Sequence, residues 1–143
     1  MSARVVYVVD NDASFRTAVT RMLTAAGLSV QSYASGREFL AQVSDDGASH
    51  ASGCVLADLC MPGLDGLQLQ DACTAVGVGL PFVFLTGHGD VPSAVSAMRG
   101  GAVDFLDKCA PQHALLASLE RALERDTEAR AARAARAPPA RAR

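Results

Sequence analysis

The chain alternates five times between a short apolar run and a longer segment whose apolar residues recur every three or four positions. The short runs, at about residues 4–9, 28–33, 54–58, 82–86 and 103–106, are typical of β-strands because they are apolar throughout or alternate with polar residues. The longer segments have the spacing of amphipathic helices. They cover residues 14–26, a short stretch after Ser35, residues 66–76, residues 91–99 and a last stretch that begins at Pro111.

Residues that start or stop helices stand between these segments. Gly27 is placed for the C-terminal cap of the first helix, and the Ser35 hydroxyl can cap the second. Pro111 suits the first turn of the last helix, where its missing N–H is not needed. Residues 44–53 consist mainly of Ser, Asp, Gly, Ala and His, and we expect them to form a loop.

Five strand–helix units predict an α/β fold with an open, doubly wound parallel sheet. In such sheets ligands bind in the crevice at the carboxyl ends of the strands. Polar residues stand at four of these five ends, at positions 10–12, 58, 86–88 and 107–109. We therefore expect the functional site at this edge of the sheet.

The composition bounds the class of protein. The 143 residues suffice for one domain with a sizeable core. No apolar run approaches the roughly 18–20 residues that span a bilayer, and the N-terminus lacks the pattern of a signal peptide. The four cysteines include no CxxC pair, so we expect free thiols. These features favour a soluble, cytoplasmic protein without a membrane partner.

Charge is unevenly distributed along the chain. Residues 127–143 hold five arginines and one acid, whereas residues 1–126 carry a net charge of −6. An acidic body does not suit nucleic-acid binding, so we expect none by residues 1–126. We interpret residues 127–143 as an Ala/Arg/Pro-rich linker or tail into which the last helix can continue until Pro138. Nucleic-acid binding by its arginines is a weaker alternative.

The residue types at the strand ends suit phosphoryl transfer. The polar residues in question are Asp10, Asn11, Asp12, Asp58, Thr86 and Lys108. Carboxylate oxygens are the ligands that Mg²⁺ prefers, and a bound cation would let Asp58 act as a nucleophile toward phosphorus. Lys108 could neutralise one phosphoryl oxygen, and Thr86 could donate a hydrogen bond to another.

Several motifs, in order along residues 4–126, resemble the response-regulator receiver domain of two-component signalling. They are VVDND at the first strand, LADLCMPGLDG around Asp58, and FVFLTGHGDVPSAVSAMRGGAVDFLDK. The stretch TGHGDVPSAVSAMRGGAVDF is similar to the FixJ-like subgroup in particular. The resemblance implies a bacterial phosphorelay protein with a flavodoxin-like fold, strand order 2-1-3-4-5 and five flanking helices.

The resemblance also implies a role for each matched residue. Asp58 is the expected phosphoacceptor, and Mg²⁺ or Mn²⁺ is expected to bind Asp10, Asn11, Asp58 and the backbone carbonyl of Cys60. Thr86 and Lys108 are expected to stabilise the phosphoryl group, with Thr86 and Phe105 forming the switch. The positions that could tune the site are Asp12, Cys60, His88 and Cys109.

The same resemblance implies partners and a readout. A sensor histidine kinase is the expected phosphodonor, and no turnover of a separate substrate is expected. Phosphorylation is expected to alter the face of the fourth helix, fifth strand and fifth helix, with Val91, Val95, Met98 and Val103 as contacts. That face would control dimerisation or an output domain, often a LuxR-type helix-turn-helix, for which residues 127–143 are too few.

Two residues depart from the family pattern. Asn11 replaces the second acid of the metal-binding pair, so we expect weaker Mg²⁺ binding. Cys109 replaces the proline that usually follows the lysine in this family. A cis bond before cysteine costs about 2.5–4 kcal/mol, so we expect the Lys108–Cys109 bond to be trans.

Other interpretations stay open at this stage. DND followed by Ala-Ser resembles the nucleophile motif of haloacid-dehalogenase-like phosphatases, in which Asp10 would be the nucleophile and Asp12 the general acid. The chain could instead be a phosphate-independent interaction module with a receiver-like fold. Asp10 and Asp12 could serve only as turn and cap residues, and Phe105 could be only a core residue. Cys60, His88 and Cys109 could form a zinc or redox site.

Overall fold

The computed structural model describes residues 5–45, 52–87 and 91–136. Within these ranges five strands alternate with five helices. They are β1 (Val5–Val9), α1 (Ala13–Ala25), β2 (Ser29–Tyr33), α2 (Gly36–Asp45), β3 (Cys54–Asp58), α3 (Gly66–Ala75), β4 (Phe82–Thr86), α4 (Val91–Arg99), β5 (Asp104–Asp107) and α5 (Gln112–Arg136). The predicted order of elements is thus confirmed.

The five strands form one parallel sheet in the order β2-β1-β3-β4-β5. This order confirms the doubly wound arrangement expected from the sequence. From β1 the chain continues to β2 on one side, and β3 then pairs with β1 on its other side. The carboxyl ends of β1 and β3 therefore lie next to each other. That neighbourhood is the switch point at which such sheets bind ligands.

Apolar side chains cover both faces of the central strands, as their continuous apolar runs predict. On one face Val9, Ala57 and Phe84 belong to a core cluster with Phe39 and Leu69 of α2 and α3. On the other face the cluster contains residues of α1 and α5, including Leu23 and Leu119. Every residue of β3 and β4 is buried, which holds the two strand ends rigidly.

Side-chain caps fix where the helices begin. The Asp12 carboxylate accepts hydrogen bonds from the backbone N–H groups of Ser14 and Phe15 at the start of α1. The Ser35 hydroxyl accepts one from the Glu38 N–H, as expected. After α1, Gly27 has a φ of 91°, and the next residue's N–H bonds back to the Leu23 carbonyl. The predicted cap functions of Asp12, Gly27 and Ser35 are confirmed.

The bounds of the strands and helices differ from the prediction by at most two residues. Strand β5 covers 104–107 and not 103–106, and α2 runs to Asp45, two residues into the expected loop at 44–53. Residues 46–51 of that loop lie outside the described ranges. Helix α5 continues to Arg136, because Ala and Arg favour helix and no proline interrupts it before 138. The domain boundary at residue 126 stays a prediction.

A buried acid fastens the second half of α5 to the sheet. Asp126 is 3% exposed, and its Oδ2 accepts hydrogen bonds from the Gly53 N–H at 2.9 Å and from Arg130 Nε at 3.0 Å. Gly53 has a φ of 118°, and a Cβ there would overlap the Val5 carbonyl oxygen. Only glycine fits between β1 and α5 at this point. Among the described residues, no helix is both long and apolar enough to span a bilayer.

Candidate functional site

The loop after β1 holds Asp10 in one orientation. Its backbone N–H donates to the Tyr33 carbonyl at 3.1 Å, and its carbonyl accepts from Arg16 Nη1 at 2.7 Å. Its Oδ1 accepts from the Asp12 N–H at 2.8 Å. The residue is 1% exposed, so these contacts direct the other carboxylate oxygen, Oδ2, into the crevice.

Asp58 ends β3 beside this loop and is also buried. Its Oδ1 accepts a hydrogen bond from the Cys60 N–H at 3.2 Å, and its Oδ2 lies 3.3 Å from Lys108 Nζ. The carboxylate is therefore held from the β3–α3 loop and from the end of β5. The predicted convergence of Asp10, Asp58 and Lys108 at one edge of the sheet is observed.

Lys108 bridges the two carboxylates. Its Nζ lies 2.8 Å from Asp10 Oδ2 and 3.3 Å from Asp58 Oδ2, and 4.5 Å from the centre of the Phe15 ring. A cation over an aromatic face gains a further electrostatic attraction. No peptide bond within the described ranges is cis, which confirms the trans bond expected between Lys108 and Cys109. The trans bond does not prevent the ammonium group from reaching both acids.

The charges in this crevice perturb each other. Burial, and then the negative charge of Asp10, raise the pKa of Asp58 above its ordinary value, against the opposing effects of the Cys60 N–H and of Lys108. Burial acts to lower the pKa of Lys108, but its contacts with Asp10 and Asp58 outweigh burial and raise it. The site thus combines an ammonium group that stays charged with a carboxylate that needs more positive charge beside it.

The donor set fits a small hard cation. Asp10 Oδ2 is buried and, within the described part of the chain, accepts no hydrogen bond of ordinary geometry; its contact with Lys108 is an ion pair. An oxygen in this state beside a second carboxylate has the chemistry of a Mg²⁺ ligand. Asn11 follows Asp10 directly in the chain and is exposed. The backbone of Cys60 lies beside Asp58, because the Cys60 N–H donates to Asp58 Oδ1.

The same edge of the sheet offers fewer of the thiolate and imidazole ligands that a zinc site needs. Across the described ranges, no three His, Cys, Asp or Glu side chains come together as a metal site. Cys60 and Cys109 are exposed free thiols, and His88 lies outside the described ranges. Cys54 and Cys73 are buried free thiols, and burial raises the pKa of Cys73 to about 12.

Thr86 and Phe105 lie where the sequence predicted them. Thr86 ends β4, directly after Leu85, the partner of Asp58 in the sheet, and is 2% exposed. Phe105 pairs with Phe84 in the neighbouring strand and packs, partly buried, against the core cluster beneath α2 and α3. Their switch roles stay a proposal.

Three of the four residues assigned to the output face form an exposed patch on α4. Val91, Val95 and Met98 are 76%, 43% and 47% exposed. Val103 differs from this expectation, because it packs partly buried against the core cluster beneath α1 and α5. We define the α4 patch as Val91, Val95 and Met98 only.

Sequence reasoning assigned no role in the site to three residues that shape it. Arg16 binds the Asp10 carbonyl, Phe15 contacts the Lys108 ammonium, and the Asp107 carboxylate accepts a hydrogen bond from the Cys109 N–H at 2.7 Å. The spacing of Asp107 and Cys109, an acid two residues before a free N–H, is a signal for an Asx turn that could have been noticed. The other two contacts depend on how α1 packs and leave no local signal.

A family model for the response regulator receiver domain matches residues 6–120. This chain belongs to the response-regulator receiver family. Proteins of this family work with sensor histidine kinases and output domains, and they generally bind Mg²⁺ at the phosphorylation site. The match and the parallel sheet confirm the receiver interpretation and the strand order. They give no support to the haloacid-dehalogenase-like alternative or to a phosphate-independent module.

Similar proteins agree with this assignment. Nodulation protein W of Bradyrhizobium diazoefficiens is 40% identical over 128 residues, which make up 90% of this chain and 55% of that protein. The transcriptional regulatory protein FixJ of Azorhizobium caulinodans is 38% identical over 86% of this chain and 56% of its own length. Full-length FixJ from B. japonicum superimposes with a TM-score of 0.80 at 36% identity, covering 97% of this chain and 71% of that one. The chain thus spans about half the length of the two curated relatives.

Proposed function

We propose that this receiver accepts one phosphoryl group on Asp58 and that the resulting acyl phosphate switches a surface that includes the α4 patch. The observation that supports this most directly is the position of Lys108 between Asp58 and Asp10. Because Lys108 contacts both carboxylates, its ammonium group is within reach of a phosphoryl group bound to Asp58. The donor is a phosphohistidine of a sensor kinase or a small acyl phosphate.

The transfer needs no further reactant. A carboxylate oxygen of Asp58 attacks phosphorus, and a P–O bond forms while the bond from phosphorus to the donor's nitrogen or oxygen breaks. The donor leaves with that electron pair as imidazole, after taking a proton, or as acetate from acetyl phosphate. Lys108 keeps its proton and neutralises phosphoryl charge, and Thr86 donates its hydroxyl hydrogen to a phosphoryl oxygen. The domain modifies itself and turns over no separate substrate.

Mg²⁺ or Mn²⁺ is the proposed cofactor. Asp10, Asp58, the Cys60 carbonyl and Asn11 would hold it, and when bound it supplies positive charge to the phosphoryl oxygens. Asn11 offers a neutral oxygen where an aspartate would offer a charged one. The affinity for Mg²⁺ is therefore lower than it would be with an aspartate at position 11. The buried Oδ2 of Asp10 is therefore the main charged ligand besides Asp58 itself.

The proposed switch runs from Thr86 through Phe105 to the surface. Thr86 moves toward the phosphoryl group, and the partly buried Phe105 follows into the space that this leaves. The consequence is a changed α4–β5–α5 face and, through it, dimerisation or control of an output domain. Asp12, Cys60 and Cys109 flank the site, and these three residues together with His88 are proposed to tune the lifetime of the acyl phosphate.

The lengths of the relatives support a larger protein around this domain. Because the chain spans about half of nodulation protein W and of FixJ, we propose that an output domain follows it in a cytoplasmic transcriptional regulator. A LuxR-type helix-turn-helix is the proposed type. Residues 127–143 then lead toward that domain.

A phosphoryl mimic tests the switch. Beryllium trifluoride binds a carboxylate as a phosphoryl group would, and it is added with Mg²⁺ while amide hydrogen exchange is followed. The proposal predicts altered exchange in the Thr86 segment, α4 and β5 of the wild type, and none in Asp58→Asn. Unchanged exchange across α4 and β5 in the presence of bound mimic would refute the proposed readout.

A further inference from the structure

The turn after β5 is closed by a side chain. Asp107 Oδ1 accepts a hydrogen bond from the Cys109 N–H at 2.7 Å, and the Asp107 carbonyl accepts one from the Ala110 N–H at 2.9 Å. Two successive N–H groups thus bond to one residue. Lys108, the residue in the middle of this turn, donates its own N–H to the Thr86 carbonyl at 2.9 Å.

These bonds fix the backbone on both sides of Lys108. The bond to Thr86 holds it to the end of β4, and the bonds to Asp107 hold the residue that follows it. A lysine side chain has four rotatable bonds, so the direction in which it leaves the backbone decides where its ammonium group can go. Here that group reaches Asp10 Oδ2 at 2.8 Å, Asp58 Oδ2 at 3.3 Å and the Phe15 ring at 4.5 Å.

The carboxylate of Asp107 acts on the backbone and not on the ammonium group. Asp107 is exposed, and the ion pairs of Lys108 are with Asp10 and Asp58. The bond from Cys109 also depends on the residue type at 109, because proline has no N–H to donate. The turn that presents Lys108 therefore relies on an acceptor at 107 and a donor at 109.

We propose that Asp107 is a positioning residue for Lys108, acting through the Cys109 N–H. This inference rests on the proposed phosphorylation of Asp58. It predicts that the acceptor oxygen of residue 107 matters and its charge does not. Asp107→Asn keeps the oxygen, whereas Asp107→Ala removes it. Asp71, an exposed aspartate of α3, gives the matched control Asp71→Ala.

The experiment compares rates of phosphorylation by acetyl phosphate at saturating Mg²⁺. Asp107→Ala is expected to slow the reaction about tenfold, since a small misplacement of a catalytic group costs up to about a hundredfold. Asp107→Asn and Asp71→Ala stay within about twofold of the wild type, as does the Mg²⁺ affinity of all variants. In a Cys109→Pro background, where the donor is gone, Asp107→Ala adds less than about a twofold effect.

A second measurement is independent of phosphate. Because the Lys108 ammonium lies 4.5 Å from the centre of the Phe15 ring, we expect the ring to shift the proton resonances of the Lys108 ε-methylene group upfield. Asp107→Ala is expected to abolish that shift, and Asp107→Asn is expected to keep it. Equal rates for Asp107→Ala and wild type, equal losses in the Ala and Asn variants, or an undiminished effect in the proline background would each overturn the inference. A wild type that takes up no phosphate refutes the proposed function instead, and the resonance shift then decides the inference alone.

Discussion

At the scale of single residues, the site depends on one buried carboxylate oxygen, Oδ2 of Asp10, which forms an ion pair with Lys108. Three contacts hold Asp10 by its backbone and by Oδ1, so Oδ2 faces Lys108 and the Asp58 side of the crevice. The next residue, Asn11, is exposed and brings no charge. Metal affinity at this edge is therefore set by two carboxylates, and a third should raise it.

Asn11→Asp should tighten Mg²⁺ binding about tenfold, equivalent to about 1.4 kcal/mol, because it adds a charged oxygen next to Asp10. Calorimetric titration of Mg²⁺ measures the change. Ser29→Asp adds the same charge at the start of β2, at the opposite edge of the sheet, and should leave the affinity within twofold. Equal affinities of Asn11→Asp and wild type would show that residue 11 is no ligand.

The raised pKa of Asp58 makes stability depend on pH. The folded chain binds this proton more tightly than the unfolded chain, whose carboxyl pKa is about 3.9. Stability without metal therefore falls as pH rises from that value through the raised pKa of Asp58, and the loss is complete above it. Asp58→Asn removes the buried carboxylate whose ionisation costs stability. This variant should therefore be more stable than the wild type at pH 7 in EDTA.

Urea denaturation of both proteins at pH 7 and near pH 3.5 measures this difference. The gap between the two proteins should shrink at the lower pH, where Asp58 is largely protonated in both states. At pH 7 a saturating Mg²⁺ concentration should narrow the difference in stability between the two proteins. A ligand at one hundred times its dissociation constant stabilises the wild type by about 2.7 kcal/mol. A wild type more stable than Asp58→Asn in EDTA at pH 7 would contradict the cause assigned to the shift.

How far the sequence predicts the site depends on the kind of contact. Asp10, Asp58 and Lys108 follow strands, and parallel strands bring their carboxyl ends to one edge, so their meeting could be predicted. Arg16 and Phe15 act from α1 on a backbone carbonyl and on an ammonium group. Those contacts depend on how the helix packs, which spacing along the chain does not specify.

At the scale of elements, α5 is the part whose extent the sequence left open. Its first half is marked by apolar residues that pack on the sheet, such as Leu119 and Leu123. Its second half has only Ala and Arg as local signals, and its anchor is the long-range bond between Asp126 and Gly53. A contact between residues 73 positions apart has no periodicity, so the pattern along the chain could not indicate that Asp126 anchors the helix.

Asp126→Ala should destabilise the fold by about 1–3 kcal/mol, because it leaves the buried Gly53 N–H without the acceptor that Asp126 provides. Exchange of amides in residues 127–136 should accelerate in the same variant. Chemical denaturation and hydrogen exchange measure the two effects. The control Glu128→Ala removes an exposed acid two residues later and should change stability by less than about 0.5 kcal/mol. Similar stabilities for the two variants would mean that Asp126 does not anchor the helix.

At the scale of the whole molecule, the crevice around Asp58 and the α4 patch lie on connected elements. Thr86 ends β4, Phe105 lies beside Phe84 in β5, and α4 connects these two strands. The patch exposes three large apolar side chains, which fits a surface that becomes covered in one state. The described residues contain one more exposed large apolar side chain, Val76, at the end of α3.

Replacing Val91 and Val95 with serine should weaken dimerisation of the phosphorylated or beryllium-trifluoride-bound domain at least tenfold, because the apolar area buried between copies is lost. Val76→Ser is the matched control, since Val76 is 47% exposed at the C-terminal cap of α3. Light scattering over a concentration series gives the dissociation constants. If the Val91/Val95 variant and the control dimerise equally, the α4 patch is not the interface.

The central claim is that Asp58 is the residue that takes up phosphate, and the intact mass of the protein tests it most directly. Wild type and Asp58→Ala are incubated with acetyl phosphate, with and without Mg²⁺, and their masses are compared. We expect one added phosphoryl group on the wild type with Mg²⁺, and none without Mg²⁺ or in Asp58→Ala. A folded wild type whose mass stays unchanged with Mg²⁺, or an Asp58→Ala variant that still gains a phosphoryl group, would contradict it.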